Sequence, residues 1–337
     1  MDDHTALERL LHRLVLEHRS VAELLFDLES GFFGKAAPRR DAVYVTGLAR
    51  CGSTALLRSL YSSGDFACLT YRDMPFVVAP NLWQRMVGFR LRKAEPRERP
   101  HGDGIVEDLD SPEGLEEVFW RKELGDTYIG KDFLSVHKVP VATLKRLKVY
   151  QSVICARHGL PRYLAKNNNL VLRLRSLAPQ TPDTCYFVLF RHPLAHADSL
   201  LRQHQRFSDT SGFVQDYMRW LVHHEFGAGH RPFRFPKNLS TDLLPNEIDY
   251  WLERWIDAYS FLVDVLKQNP NNTVAVHYER LCDDQSYRAA VFARAGVVSG
   301  GAMLQNRNRT GQMGSSSLIE RAAGVYSALC DLAARRN

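Results

Sequence analysis

Hydrophobic positions along the chain follow two different periods, and each period predicts one kind of element. Continuous apolar runs at 42–46 (AVYVT), 185–190 (CYFVLF) and 273–278 (TVAVHY) are typical of strands buried on both faces of a parallel sheet. Weaker strands are expected at 66–70 and 161–165. Because helical patterns lie between these runs, the sequence predicts an α/β fold of three layers, with a mainly parallel sheet flanked by helices.

Helical periodicity begins at the N-terminus, where leucines at helical spacing predict one amphipathic helix over residues 4–29. The residues SPE at 111–113 form a typical helix start, so a helix is expected from there to about Leu124. Glu116 and Glu117 are expected on its solvated face. The other helices are expected at about 53–62, 137–157, 169–177, 193–205, 213–225, 246–268, 285–294 and 316–334.

No linker or repeat divides the chain. We expect a helical segment over residues 1–40 and a single domain over 41–337, with helical and loop insertions at about 93–160 and 207–270. The N-terminus lacks the apolar region of a signal peptide, and no window reaches the roughly 18 apolar residues of a membrane span. The sequence therefore predicts a cytoplasmic protein without a membrane span.

The composition narrows the class of ligand more than the class of fold. The 337 residues carry a formal net charge of +6, which suits an anionic ligand and is too small to indicate nucleic acid. Six cysteines without a CxxC pair predict free thiols in a reducing compartment. The His223–His224 doublet has no partner at metal spacing, so no metal site is expected.

The first motif follows the first apolar run. Gly47 and Gly52 have the spacing of a phosphate-binding loop, and Ser53 and Thr54 begin the helix after it. Glycines allow backbone N–H groups to turn inward, and the helix N-terminus adds positive potential. The loop therefore predicts a phosphate site, with a plain glycine turn and a solvated Arg50 as the alternative.

The position of the cation within this loop changes the expected ligand. Nucleotide-triphosphate enzymes place a lysine where this chain has Ser53, and the cation here is Arg50, three residues earlier. ATP and GTP enzymes use that lysine on the β- and γ-phosphates, beside Mg²⁺. The shifted cation suits a donor with one 5′-phosphate and one further anionic group.

The second motif follows the second apolar run. Arg191 directly follows the strand, Pro193 begins a helix, and Ser199 lies eight residues after the arginine. Ligands of open α/β sheets bind at the carboxyl ends of the strands. Arg191 and Ser199 can hold a second phosphate there by charge-assisted hydrogen bonds. A capping arginine and a surface serine are the alternative interpretation.

Together the two motifs resemble those of the sulfotransferases that use 3′-phosphoadenosine 5′-phosphosulfate (PAPS). Residues 49–54 (ARCGST) match the family's [PA]-[KR]-x-G-[TS]-[TS] loop, and Arg191, Pro193 and Ser199 match its R-x-P-x-x-x-x-x-S pattern. Lys166-Asn167 is similar to a K-x-P/N segment of the family. The resemblance covers about residues 41–295, is closest to a bacterial-type branch, and implies a P-loop NTPase-like fold.

The resemblance also implies a reaction and a donor site. The reaction is sulfuryl transfer from PAPS to an acceptor hydroxyl, with 3′,5′-ADP as the product and without a metal. A carbohydrate or another small molecule is the expected acceptor, while phenols, lipid head groups and peptide tyrosines stay open. The implied donor-binding residues are Arg50, Cys51, Gly52, Ser53, Thr54, Ala55, Arg191 and Ser199.

The sequence also offers candidates for the catalytic groups. Arg50, which replaces the commoner lysine of the family, is expected to neutralise the departing phosphate. Asp73 is the first candidate for the general base and His101 the second, each with a structural or solvated role as its alternative. Arg307 and Arg309 are similar to a late basic loop that closes over the nucleotide.

Two other functions remain open on sequence grounds. One is an ATP-dependent P-loop phosphotransferase, against which the missing GK[ST] argues. The other is a non-catalytic nucleotide-binding protein with a degenerate site.

Overall fold

The computed structural model of this chain describes most of its residues. The described residues are 6–34, 41–87, 97–98, 106–209, 212–237, 242–298, 304–306, 308 and 313–334. The strands are β1 (Val43–Thr46), β2 (Arg97–Glu98), β3 (Val106–Glu107), β4 (Leu134–Ser135), β5 (Leu164–Lys166), β6 (Cys185–Phe190), β7 (Phe233–Arg234) and β8 (Thr273–His277). The helices are α1 (Ala6–Glu17), α2 (Arg19–Phe33), α3 (Ser53–Tyr61), α4 (Pro80–Val87), α5 (Glu117–Leu124), α6 (Val141–His158), α7 (Leu174–Leu177), α8 (Pro193–Phe207), α9 (Gly212–Trp220), α10 (Ile248–Gln268), α11 (Tyr278–Asp283), α12 (Gln285–Arg294) and α13 (Ser316–Ala334).

The central sheet has the strand order β5–β1–β6–β8, and each neighbouring pair is parallel. Val45 of β1 lies in register with Lys166 of β5 and Phe187 of β6. The α/β prediction is confirmed. Because all four strands run the same way, their carboxyl ends meet at one edge, where open α/β sheets bind ligands.

The expected strand at 66–70 is wrong in extent. Ala67 forms an isolated parallel bridge to Tyr163, and Thr70 forms an antiparallel bridge to Pro112. The segment therefore borders the sheet beside β5 and does not form a strand of it.

The two faces of the sheet bury separate apolar clusters, which confirms the three-layer arrangement. Tyr44 and Tyr186 face one cluster, which α6, α8 and α10 complete. Val45 and Phe187 face the other, with α3 and α12. The alternation arises because successive side chains of a strand point to opposite faces.

The single N-terminal helix expected over 4–29 is wrong, because two helices occupy that region. They are separated at His18, whose backbone is extended with φ −95° and ψ 103°. Phe26 of α2 packs edge-on against Phe119 and Tyr150 at ring distances of 5.9 Å and 6.2 Å. Packing against α5 and α6 therefore decides the orientation of α2.

The start of the α5 helix also differs from the expectation. α5 begins at Glu117, and Pro112 bridges to Thr70 as an extended residue. Glu116 and Glu117 are only 1% and 2% exposed, so the expected solvated face is wrong. Each carboxylate is instead held by hydrogen-bond donors from other elements, which allows a charged group to be buried.

Glu117 forms a buried ion pair with Arg173. Arg173 Nη1 donates to Glu117 Oε2 at 3.0 Å, and the guanidinium lies 4.5 Å from the ring centre of Trp120. Asn167 Nδ2 donates to the same carboxylate oxygen at 2.8 Å. Because Asn167 directly follows β5, the pair connects the core to the carboxyl edge of the sheet.

Removing one partner of this pair should strongly destabilise the protein. Glu117→Ala leaves a buried guanidinium without its carboxylate, and we expect the free energy of unfolding to fall by about 3–5 kcal/mol. Urea unfolding measures the change. Asp126→Ala is the matched control, because its carboxylate is 68% exposed and its contact with Arg121 should contribute less than about 1 kcal/mol. Equal losses in the two variants would contradict the importance of the buried pair.

Candidate functional site

The loop between β1 and α3 lies at the carboxyl edge of the sheet in a strained conformation. Gly47, Arg50 and Gly52 all have positive φ, at 142°, 70° and 97°. A Cβ on Gly47 would lie 2.6 Å from the carbonyl oxygen of Leu189, and one on Gly52 would lie 2.4 Å from the ring of Tyr278. The two glycines are therefore required by both conformation and space.

The loop presents a helix N-terminus to the same edge. α3 starts at Ser53, and its N-cap residue Gly52 supplies no side-chain cap. Ser53 and Thr54 are buried in the first turn. Uncapped N–H groups of a first turn attract anions, and the helix dipole adds to the attraction.

The two predicted motifs meet at this loop. Arg50 Nε donates to Ser199 Oγ at 3.4 Å, and Arg191 Nη1 donates to the carbonyl oxygen of Arg50 at 3.2 Å. The structure thus brings together Arg50, Arg191 and Ser199, which come from the ends of β1 and β6 and from α8. The cysteine of the loop, Cys51, is fully buried, and burial raises the pKa of its thiol.

Arg191 is a cation buried at the sheet edge. It is 5% exposed, lies 5.2 Å from the ring centre of Tyr278, and donates through Nε to Asn308 Oδ1. Asn308 Nδ2 donates in turn to Glu279 Oε1 at 2.6 Å. Burial lowers the pKa of Arg191, against the opposing influence of Tyr278 and Glu279, yet a guanidinium stays charged at neutral pH. An anion bound at this position would gain a desolvated partner.

His196 supports the loop and was missed by the sequence analysis. Its Nε2 is 2.7 Å from the carbonyl oxygen of Ala49, and its Nδ1 is buried without a hydrogen-bond partner. Burial lowers the pKa of His196 to about 3, so the ring is neutral and Nε2–H is the donor. The sequence could have indicated this role through the position of His196, which lies on α8 one turn before Ser199.

Lys166 brings a further cation to the edge. It ends β5 beside Val45, and its Nζ lies 3.4 Å from Glu113 Oε1. Glu113 Oε2 also accepts from the hydroxyl of Tyr71 at 3.2 Å. A Cβ on Gly114 would lie 3.3 Å from Nζ, so the glycine leaves room for the lysine.

Asp73, the first candidate base, is buried and makes structural bonds. Its Oδ2 accepts from Thr70 N at 2.8 Å, and its Oδ1 accepts from Arg157 Nε at 2.9 Å. Arg72 pairs with Asp110 at 2.6 Å, not with Asp73. A role for Asp73 as proton acceptor stays a prediction, and these bonds count against it. His101, Arg307 and Arg309 lie outside the described residues.

Three solved structures that resemble this chain are bacterial sulfotransferases. STF1 from Mycobacterium tuberculosis H37Rv is 14% identical with a TM-score of 0.45, and the match covers 97% of this chain and 87% of that one. STF9 from Mycobacterium avium is 12% identical with a TM-score of 0.49, covering 97% and 78%. A sulfotransferase from Alicyclobacillus acidocaldarius is 14% identical with a TM-score of 0.40, covering 88% and 97%.

No family model matches the sequence, and no curated protein is significantly similar to it. At the values above, the likeness to solved structures decides nothing about the chemistry of this chain, which rests on its own residues. Among the described residues, no helix combines the length and apolarity needed to cross a membrane. Within the same ranges, no three His, Cys, Asp or Glu side chains are grouped closely enough to hold a metal ion.

The buried histidines should make the protein sensitive to acid. Burial lowers the pKa of His196 to about 3 and that of His230 to about 4, from an unfolded value of about 6.5. The unfolded chain then binds more protons than the folded one below this value. The free energy of unfolding should therefore be highest above about pH 6.5 and decrease as the pH falls towards 4.

Replacing His196 should remove one proton from this dependence. In His196→Gln we expect the free energy of unfolding to depend less steeply on pH, by about 1.4 kcal/mol per pH unit between about pH 6 and pH 4. Urea unfolding at several pH values measures the slope. His18→Gln changes an exposed histidine and should keep the wild-type slope. A wild-type slope in His196→Gln as well would contradict a neutral, buried imidazole beside the loop.

Proposed function

We propose that the protein is a sulfotransferase that moves a sulfuryl group from PAPS to an acceptor hydroxyl. The observation that carries the proposal is the convergence of Arg50, Arg191 and Ser199 at one loop. The loop alone would be enough to bind one anionic group. The buried Arg191 beside it favours a ligand with two separate phosphate positions.

The residues present fit such a donor. The first turn of α3 and the hydroxyls of Ser53 and Thr54 would hold the 5′-phosphate, together with the backbone from Cys51 to Ala55. Arg191 and Ser199 would hold the 3′-phosphate. Gly52 lets the loop backbone pack directly against the ring of Tyr278, which fixes the loop beside Arg191. When bound, PAPS supplies a sulfuryl group on a phosphate leaving group.

Arg50 has the main electrostatic role in this proposal. As the leaving phosphate gains negative charge, the guanidinium would stabilise it from a fixed position, since Ser199 holds its Nε. Lys166 is a second cation at the same edge, held by Glu113 at 3.4 Å. Both positive groups are held in place before the reaction begins. Little reorganisation is therefore needed as negative charge develops on the leaving phosphate.

The loop chemistry disfavours the alternative of ATP-dependent phosphoryl transfer. Ser53 occupies the position of the lysine that contacts the β- and γ-phosphates in P-loop enzymes. We propose a carbohydrate or another small molecule as the acceptor and the cytoplasm as the compartment, with no metal in the reaction.

The donor proposal predicts a selective ligand effect. 3′,5′-ADP should raise the melting temperature without Mg²⁺, because it has both phosphates, whereas 5′-AMP and ATP should have smaller effects. Arg191→Ala should abolish the shift by 3′,5′-ADP. Arg206→Ala removes an exposed arginine of α8, the helix that follows Arg191, and should retain the shift. A shift with ATP and Mg²⁺ alone would overturn the proposal in favour of a phosphotransferase.

The role of Arg50 predicts a loss of rate larger than the loss of affinity. Arg50→Gln should lower the transfer rate by about 10²–10³-fold, since charge on the leaving group is then unsupported. Arg50→Lys restores the charge at the same positive-φ position and should recover much of the rate. Turnover of labelled PAPS and calorimetric titration with 3′,5′-ADP separate the two quantities. Equal losses in rate and affinity would assign Arg50 to ground-state binding alone.

A further inference from the structure

A second polar cluster lies at the end of β5, outside the donor site described above. Asn169 Nδ2 donates to the carbonyl oxygen of Val222 at 2.9 Å, and Asn168 Nδ2 donates to Glu225 Oε1 at 2.9 Å. These bonds hold the segment after α9 against the residues that follow Lys166. Asn167 N donates to the carbonyl oxygen of Val45 at 3.0 Å, so the cluster lies at the same sheet edge as the loop.

The cluster contains a histidine paired with a carboxylate. His223 Nδ1 lies 3.4 Å from Glu225 Oε1, and the two side chains are 26% and 8% exposed. Burial raises the pKa of Glu225, but His223 and Asn168 outweigh it and lower this pKa to about 2. The ionised carboxylate accepts from Nδ1–H, and this hydrogen bond sets the imidazole tautomer whose lone pair is on Nε2.

Asn168 has an acceptor atom available beside this pair. Its Nδ2 must face Glu225, because an ionised carboxylate only accepts hydrogen bonds. Its Oδ1 then points elsewhere, and in the described part of the chain it is buried without a partner, in a residue only 8% exposed. A buried carbonyl oxygen without a donor is unfavourable, and a bound hydroxyl would satisfy it.

The backbone before His223 is held in a strained conformation. Val222 has φ 55°, in the left-handed region that a β-branched residue rarely adopts. His223 N donates to the carbonyl oxygen of Met218 at 2.8 Å, which ends α9 in the manner usually allowed by glycine. Such strain persists where the surrounding structure fixes it, and here Asn169 holds Val222.

We propose that His223 is the proton acceptor for the acceptor hydroxyl, with Glu225 as its positioning residue and Asn168 Oδ1 as a hydrogen-bond acceptor for the same substrate. The proposal rests on the proposed sulfuryl transfer. In that step the hydroxyl oxygen forms a bond to sulfur while the bond from sulfur to the 5′-phosphate oxygen breaks, and its electron pair leaves with the phosphate. The hydroxyl proton passes to Nε2 of His223 and then to solvent.

The test compares two phenols as probe acceptors with labelled PAPS. 4-Methoxyphenol carries its proton at neutral pH and needs a base, whereas pentafluorophenol is already ionised. His223→Gln should lower transfer to 4-methoxyphenol by about 10²–10⁴-fold and leave transfer to pentafluorophenol little changed. Glu225→Gln should show a smaller loss of the same pattern. If the wild type uses neither phenol, the rate of PAPS breakdown with water as the acceptor is compared between the wild type and His223→Gln instead.

A second readout does not depend on turnover. Diethyl pyrocarbonate modifies accessible neutral imidazoles, and mass spectrometry of peptides gives the rate at each histidine. Bound 3′,5′-ADP with 4-methoxyphenol should slow modification of His223 and leave the exposed His18 unchanged. Unchanged modification of His223 would overturn its place at the acceptor site.

The outcomes separate this inference from the proposed function. If wild type and His223→Gln both bind 3′,5′-ADP and transfer at equal rates to 4-methoxyphenol, the inference is wrong and the sulfotransferase proposal stands. Equal losses with both phenols would assign His223 a structural role and also overturn the inference. If the wild type neither binds 3′,5′-ADP nor breaks down PAPS, the proposed function fails, and the inference fails with it.

Discussion

The buried ion pair of Glu117 and Arg173 is the interaction on which the ligand edge of the sheet depends. Each charge is stable in the core only because the other is present. Asn167 donates to the Glu117 carboxylate at 2.8 Å, and its carbonyl oxygen accepts from the hydroxyl of Thr46 at 2.7 Å. Through these bonds the core holds the ends of β1 and β5 together. The proposed donor site and the polar cluster of His223 and Glu225 both lie at this edge.

The loop between β1 and α3 depends on the same edge in a different way. His196 and Arg191 donate to carbonyl oxygens of the loop, and Ser199 accepts from Arg50. These three residues follow β6 within or just before one helix, so a single rigid element supports the loop backbone. Because the loop is held before a ligand binds, its N–H groups and cations need little rearrangement, which favours charge stabilisation over induced fit.

The two polar clusters occupy neighbouring strand ends, and they suggest a division of labour. The ends of β1 and β6 carry the cations proposed to hold an anionic donor. The end of β5 carries Asn168, which reaches the carboxylate of Glu225 from a segment after α9. Parallel strands make this possible, because each strand end contributes its own loop to one edge. A donor and an acceptor can then meet without any single loop holding both.

The sequence by itself determined the central strands and the loop between β1 and α3. The apolar runs at 42–46, 185–190 and 273–278 correspond to β1, β6 and β8 within one residue, because continuous apolar runs between helical patterns leave few other structures. The spacing of Gly47 and Gly52 likewise indicated the loop, because glycine readily adopts the positive φ that a turn between strand and helix needs.

Only the tertiary structure decided which charged groups are buried and what they bind. Glu117 follows a local pattern that indicates a solvated face, and its partner Arg173 is 56 residues away. Glu225 meets Asn168 across 57 residues, and no periodicity connects them. Local patterns reflect neighbours one or two turns apart, whereas the burial of a charge depends on partners that folding brings from distant segments.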